Sequence, residues 1–221
     1  MSEYDDIFYY VRDKLAQSSY QCGKNRATIN YSRFSHIERV YGWVQRILTD
    51  LSPDISIHKE ALRLAAIFHD VGYGFNEGDV DHAQVGAMIS EEYLEQRGYD
   101  KELLREVVYL VGNHSHKELL MSKDTPIELI VLMEADLLDD SGALALVMDT
   151  MIVTKKRKPD FYKVYSHMQE YAVKEMKENP MVTEPARRFW KEKQRLTEEF
   201  NRQLMRDLNI SLIDGHSYLS I

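Results

Sequence analysis

Residues 61–73 read ALRLAAIFHDVGY, and this run decides how the rest of the chain is read. From Ala61 to Phe68 it is apolar almost all round, which predicts a central buried helix. His69 and Asp70 end the run, with Gly72 close behind. Neighbouring residues inside a helix point about 100° apart and cannot easily share one ion. At a helix end a neutral imidazole and a carboxylate can converge on a single divalent cation. A two-residue string is common in any chain, and the weight comes from its company: His36 upstream, His82 and His114 downstream, and Asp136 beyond them. All six are nitrogen or oxygen donors suited to a divalent Mn, Mg, Fe, Ni, Co or Zn ion, and none is a thiolate.

Working outward from that run, helical periodicity dominates. Phe34, Ile37, Val40, Tyr41, Val44, Leu48 and Leu51 repeat at three- and four-residue intervals until Pro53, which places His36 near a helix start. A third helix opens at Asp81-His82 and ends near Gly98. Leu103, Leu104, Val107, Val108 and Val111 mark a fourth over 101–113, closed by His114. Pro126 is a first-turn proline for a helix through Asp136, and another helix follows from about Gly142 to Thr154. Phe161 to Lys177 and Pro185 to Leu208 read as helices beyond the basic break KKRKP at 155–159. No stretch alternates with period two, so no strand is expected. Residues 19–32 and 71–81 read as irregular. The glycines of the second loop suit either a close backbone approach to a ligand or ordinary turn chemistry. The expectation is an all-α single domain over 1–221, with a core at about 30–155 and a helical C-terminal extension over 156–221.

The formal charge of −8 argues against a general nucleic-acid-binding surface, although bound cations can still make a place for an anionic small substrate. Cys22 is the one cysteine, so neither an internal disulfide nor a thiolate cluster is possible. The acidic start MSEYDDIFYY lacks the basic and apolar regions of a secretory signal, and apolar runs such as ALALVM at 143–148 are too short to span a bilayer. A cytoplasmic protein is expected, and a homodimer is left open.

The order of these residues resembles that of the HD-domain metal-dependent phosphohydrolases, whose signature H…HD…D is spread over an all-helical core. The first histidine matches His36 in FSHIERVYGWV, the doublet matches His69 and Asp70 in LAAIFHDVGY, and the last aspartate matches Asp136 in LMEADLLDDSGALAL. One branch of the family adds a histidine in an H-x-x-x-G-A context and another in an HS context, matched by His82 in HAQVGA and His114 in NHSH. The resemblance covers roughly residues 30–155. It implies an HD-domain helical bundle that hydrolyses a phosphate ester or phosphoanhydride, a nucleotide above all. One or two divalent ions would be held by His36, His69, Asp70 and Asp136, with His82 and His114 as ligands of a second ion. Otherwise Asp70, His82 and His114 would serve catalysis by orienting water or moving a proton. That branch often carries arginine directly after the last aspartate. Here Leu137 stands there, so any contact of that arginine is missing or supplied from elsewhere.

Each assignment has a plainer rival. A lone histidine near a helix end is usually solvated or capping, and an isolated Asp136 would read as a hydrogen-bonded carboxylate. Arg33 and Lys117, three residues from His36 and His114, could reach a phosphate or be surface charge. Lys155, Lys156 and Arg157 could close over a polyphosphate or form a solvated helix end. Asp139 could partner a ligand, accept a proton or be solvated. His58, His116, His167 and His216 lie on polar stretches and read as solvated. Two other functions share the pattern: a di-iron oxygenase with the same order of six ligands, and a nucleotide sensor without catalysis.

Overall fold

The computed structural model describes residues 4–21, 27–73, 75, 81–156 and 160–210, and all regular structure among them is helical. Cys22, Arg157 and His216 lie outside the described residues, as does the Lys156 side chain. Contacts divide the chain into two compact units, residues 1–139 and 140–221.

The first unit is built around the apolar run. α3 (Lys59–Phe68) buries Ala61, Leu62 and every residue from Leu64 to Phe68 with no exposed surface. Around it pack α1 (Asp5–Gln21), α2 (Ala27–Asp50), α5 (Lys101–Asn113) and α6 (Ile127–Asp139), while α4 (His82–Gln96) lies along α5. Asp81 caps α4 by accepting from the Ala83 amide, and Asp100 caps α5 through the amides of Glu102 and Leu103. α4 stops as expected at Gly98, whose φ of +71 lets the Tyr99 amide reach back to the Leu94 carbonyl. A short 3₁₀ turn covers Lys117–Met121.

In the first unit the structure adds three things to the sequence reading. α1 has no counterpart in the sequence reading, although Ile7, Val11 and Leu15, all buried, recur every four residues. The stretch 19–32, expected to be irregular, is helical at both its described ends. His36 therefore lies inside α2, because the first turns of that helix carry no apolar repeat to announce them. Gly72 serves a close approach of the fold itself: a Cβ there would lie 2.1 Å from the His82 carbonyl oxygen and 2.6 Å from the Gly86 nitrogen. The missing side chain lets the start of α4 seat directly behind the His69-Asp70 doublet.

The second unit holds α7 (Ala143–Lys156), α8 (Phe161–Glu170), α9 (Ala172–Glu175) and α10 (Glu184–Asp207). Leu146, Val164, Met168 and Ala172 form a small core, and Trp190 is fully buried with its ring N–H on the Glu178 carbonyl at 2.7 Å. The long helix expected over 161–177 is broken at Tyr171. The Asp149 carboxylate there accepts the amide of Ala172, which opens α9. No helix among the described residues is long and apolar enough to cross a membrane.

Candidate metal centre

Five elements bring the six sequence-selected residues together. His36 projects from α2, His69 and Asp70 from the turn that ends α3, His82 from the first position of α4, His114 from the end of α5, and Asp136 from α6. Asp70 is the hinge of the arrangement. Its Oδ2 lies 3.5 Å from His36 Nε2 and 3.7 Å from His69 Nε2, while its Oδ1 lies 3.4 Å from His82 Nε2 and 3.5 Å from His114 Nε2. One carboxylate thus joins two clusters, His36-His69-Asp70 and Asp70-His82-His114, each compact enough for an ion. Asp136 joins the first, with Oδ1 3.1 Å from His36 Nε2.

Local backbone chemistry aims the rings. His69 Nδ1 donates to the Ala66 carbonyl at 2.8 Å, and His114 Nδ1 donates to the Val111 carbonyl at 2.7 Å. Both acceptors belong to the last turn of a helix, where carbonyls lack intrahelical partners. A carbonyl only accepts, so in the neutral ring the proton sits on Nδ1 and Nε2 offers its lone pair. His36 does the same with the Asp139 carboxylate, 2.7 Å from its Nδ1. The Nε2 atoms of His36 and His69 then meet at 3.3 Å, and two lone pairs at that distance require a proton or a cation between them. With donors of nitrogen and carboxylate oxygen only, the site fits a divalent metal ion.

Residues 33–140 match the HD domain family, and every one of these ligand candidates falls inside the match. These residues form an HD domain. The backbone resembles an HD-superfamily hydrolase of Bacillus thuringiensis (TM-score 0.64, 18% identity, covering 92% of this chain and 98% of that one). It also resembles Bacillus subtilis YpgQ in complex with ADP (TM-score 0.63, 21% identity, 96% and 95%) and an HD-superfamily hydrolase from an uncultured Thermotogales bacterium (TM-score 0.60, 20% identity, 92% and 91%). These likenesses extend past the family match, so the C-terminal helices belong to a shared fold. A stretch of 64 residues is 42% identical to part of the bifunctional uridylyltransferase/uridylyl-removing enzyme of Vibrio atlanticus. It spans 29% of this chain and 6% of that enzyme.

In this HD domain each carboxylate of the centre also meets a cationic side chain. Arg33 Nη1 lies 2.7 Å from Asp70 Oδ2, Lys117 Nζ lies 2.6 Å from Asp136 Oδ2, and Arg39 grips Asp139 through two bonds of 2.8 and 2.9 Å. Arg33 and Lys117 are therefore at the rim of the centre, each partly exposed, and Lys117 also donates to the His114 carbonyl. Lys117 reaches Asp136 from the 3₁₀ turn, while Leu137 is half-buried.

Burial acts on the histidines in opposite directions, according to their neighbours. Fully buried His69 is held down at about 4, chiefly by desolvation of its charged form. Burial would lower His36 as well, but hydrogen bonds to Asp136 and Asp139 outweigh it and raise the ring to about 10. Burial would raise the carboxyls of Asp70 and Asp136. The histidines and cations around them prevail and hold both well below the ordinary carboxylate range.

The sequence reading missed Arg39, Asp81, Ser115 and Tyr73. Asp81 lies 3.0 Å from His82 Nδ1 and accepts from the Ser115 hydroxyl at 2.9 Å, tying the α4 start to the segment after His114. The Tyr73 ring packs against the Arg33 guanidinium, 3.9 Å from its centroid, and against the His82 ring at 4.2 Å. The only hint in the sequence is their closeness to the motif residues. Among the remaining histidines, His58 is exposed and His116 is partly exposed. His167, expected to be solvated, is instead half-buried on α8, stacked on Tyr171 and 3.4 Å from Asp149. Lys155 is exposed at the end of α7.

Proposed function

We propose that this HD domain is a metal-dependent phosphohydrolase acting on a nucleotide or another small phosphate ester or phosphoanhydride. The observation that carries the reading is the Asp70 carboxylate, with one oxygen toward His36 and His69 and the other toward His82 and His114. His36, His69, Asp70 and Asp136 would hold one divalent ion, and Asp70, His82 and His114 a second. Bound there, such ions lower the pKa of water toward neutrality and offset charge on phosphoryl oxygens.

The remaining work falls to the chain itself. Arg33 and Lys117, cationic and partly open to solvent, would draw an anionic substrate to the rim and orient its phosphates. With a single ion bound, His82 would be the group that transfers a proton, a reading supported by its side chain being 20% exposed whereas that of His114 is 2% exposed. His114, locked by the Val111 carbonyl, would then orient the attacking water. Support for a nucleotide comes from the ADP bound to the similarly folded YpgQ, and the rim cations favour an anionic substrate over the uncharged one of a polyol oxygenase.

The test is a nucleotide panel incubated with protein stripped of metal and then given Mn or Mg, without oxygen, with phosphate or pyrophosphate release as the readout. Hydrolysis that needs the metal and disappears in Asp70→Ala supports the proposal. Oxygen consumption with iron alone, and no phosphate released under any metal, would overturn it in favour of an oxygenase. Tight nucleotide binding without turnover would point to a sensor.

A further inference from the structure

Asp139 stands one helical turn beyond Asp136 on α6, and Arg39 one turn beyond His36 on α2. The Asp139 side chain is 2% exposed. A buried ionised carboxylate is retained only where its partners repay the loss of water. Its partners are the Arg39 fork, Nε on Oδ1 at 2.8 Å and Nη2 on Oδ2 at 2.9 Å, and His36 Nδ1 on Oδ2 at 2.7 Å. Two parallel bonds from a planar guanidinium fix the plane of a carboxylate as a single contact cannot. That plane in turn fixes the imidazole, leaving its Nε2 beside Asp136 Oδ1 and His69 Nε2. The other ring of the first cluster, His69, is fixed by a backbone carbonyl and needs no such help.

We propose that Arg39 and Asp139 form a positioning pair that makes His36 a ligand of the first ion, an inference that rests on the two-ion reading above. Ionised Asp139 can only accept, so it keeps the ring proton on Nδ1 and leaves the Nε2 lone pair for the metal; it also raises the basicity of the ring as a donor. Arg39, 43% exposed, holds the buried carboxylate in register from the solvent side. The consequence is specific to one cluster: the pair governs the His36-His69-Asp70-Asp136 site and leaves the Asp70-His82-His114 site alone.

Asp139→Asn discriminates, because it keeps shape and volume but has one acceptor face and one donor face. With its NH₂ at the Oδ2 position, the ring proton is driven to Nε2, the metal lone pair is lost, and the NH₂ also meets Arg39 Nη2, donor against donor. With its NH₂ at the Oδ1 position, it faces Arg39 Nε, again donor against donor. Calorimetric titration of metal-stripped protein with Mn, and absorption titration with Co, read the two classes of site separately. For Asp139→Asn the expected result is a first-site affinity reduced by about 10–100-fold, with the second class unchanged and the melting temperature of the stripped protein close to wild type. Arg39→Gln, which leaves the carboxylate in place, should weaken the same site by a smaller factor, and it carries the test if Asp139→Asn does not fold. Wild-type first-site affinity in a folded variant would overturn the proposal. So would equal weakening of both classes together with a lowered melting temperature, the mark of a merely structural pair. Wild-type protein that takes up no ion would overturn this proposal and the two-ion reading together, whereas the variant results bear on the pair alone.

Discussion

Raised to about 10 by its bonds to Asp136 and Asp139, His36 in the metal-free protein holds a proton at neutral pH that His69, lowered to about 4 by burial and with its Nε2 3.3 Å from that of His36, does not. A metal must displace that proton, so loading near neutral pH should release about one proton per first-site ion. Calorimetry in two buffers of different ionisation enthalpy measures this, and a binding heat independent of buffer would contradict it. The same shifts set the stability of the stripped protein. His36, raised from 6.5 to about 10, contributes stability that is complete below 6.5 and lost as pH rises through 10. His69, lowered from 6.5 to about 4, contributes stability present above 6.5 and lost as pH falls through 4. Unfolding monitored across pH should therefore show stability falling on both flanks, and a flat profile would deny that these rings are coupled to the fold. At the rim, Lys117→Met removes the Asp136 partner and a candidate phosphate contact. A rise in KM of about tenfold or more is expected from steady-state kinetics, given the usual worth of a charge-assisted hydrogen bond. The ligand types were legible in the sequence because six nitrogen and oxygen donors in a fixed order carry chemical meaning. Asp139 was legible only as one of several options, ligand partner among them, and Arg39 not at all, since the two become partners only when α2 packs on α6.

At the scale of the element, placement of the second histidine pair depends on how tightly α4 seats behind the doublet. Gly72→Ala would drive a Cβ into the His82 carbonyl and the Gly86 nitrogen, both backbone and unable to swing aside. A loss of about 1–3 kcal/mol is expected from overpacking, with displacement of His82 and loss of the weaker ion class. Gly42→Ala is the contrasting case, since a Cβ inside α2 would meet only Arg46 Nη1 at 3.7 Å. It should stabilise by about 0.5–1 kcal/mol through helix propensity. Denaturant unfolding of both variants checks this, and an equal effect would refute the close approach at Gly72. Most helices were legible because their buried faces repeat, as α3 and α5 show. The start of α2 was hidden because its first turns are polar, and the break at Tyr171 because it depends on Asp149, distant in sequence.

For the whole molecule, net charge and composition argued against a general nucleic-acid surface without revealing that the centre neutralises its own carboxylates with Arg33, Arg39 and Lys117. Among its described residues the C-terminal unit supplies none of the six ligand candidates, and its helices could be read only as cover because amphipathic patterns say that a face is buried and not against what. Ions that bind the folded protein alone stabilise it by about 2.7 kcal/mol at a hundred times their dissociation constant. For a chain of this size that corresponds to a melting temperature about 5–10 °C higher in Mn than in chelator, readable by calorimetry. No difference would mean that folding and ion binding are not linked.

The most direct measurement is anomalous diffraction at the manganese edge from crystals grown with excess Mn. Two peaks are expected on opposite sides of the Asp70 carboxylate, one among His36, His69 and Asp136 and the other between His82 and His114. Full-occupancy peaks elsewhere, with Asp70 and its four histidines bare, would contradict the two-ion centre and the hydrolytic function built on it.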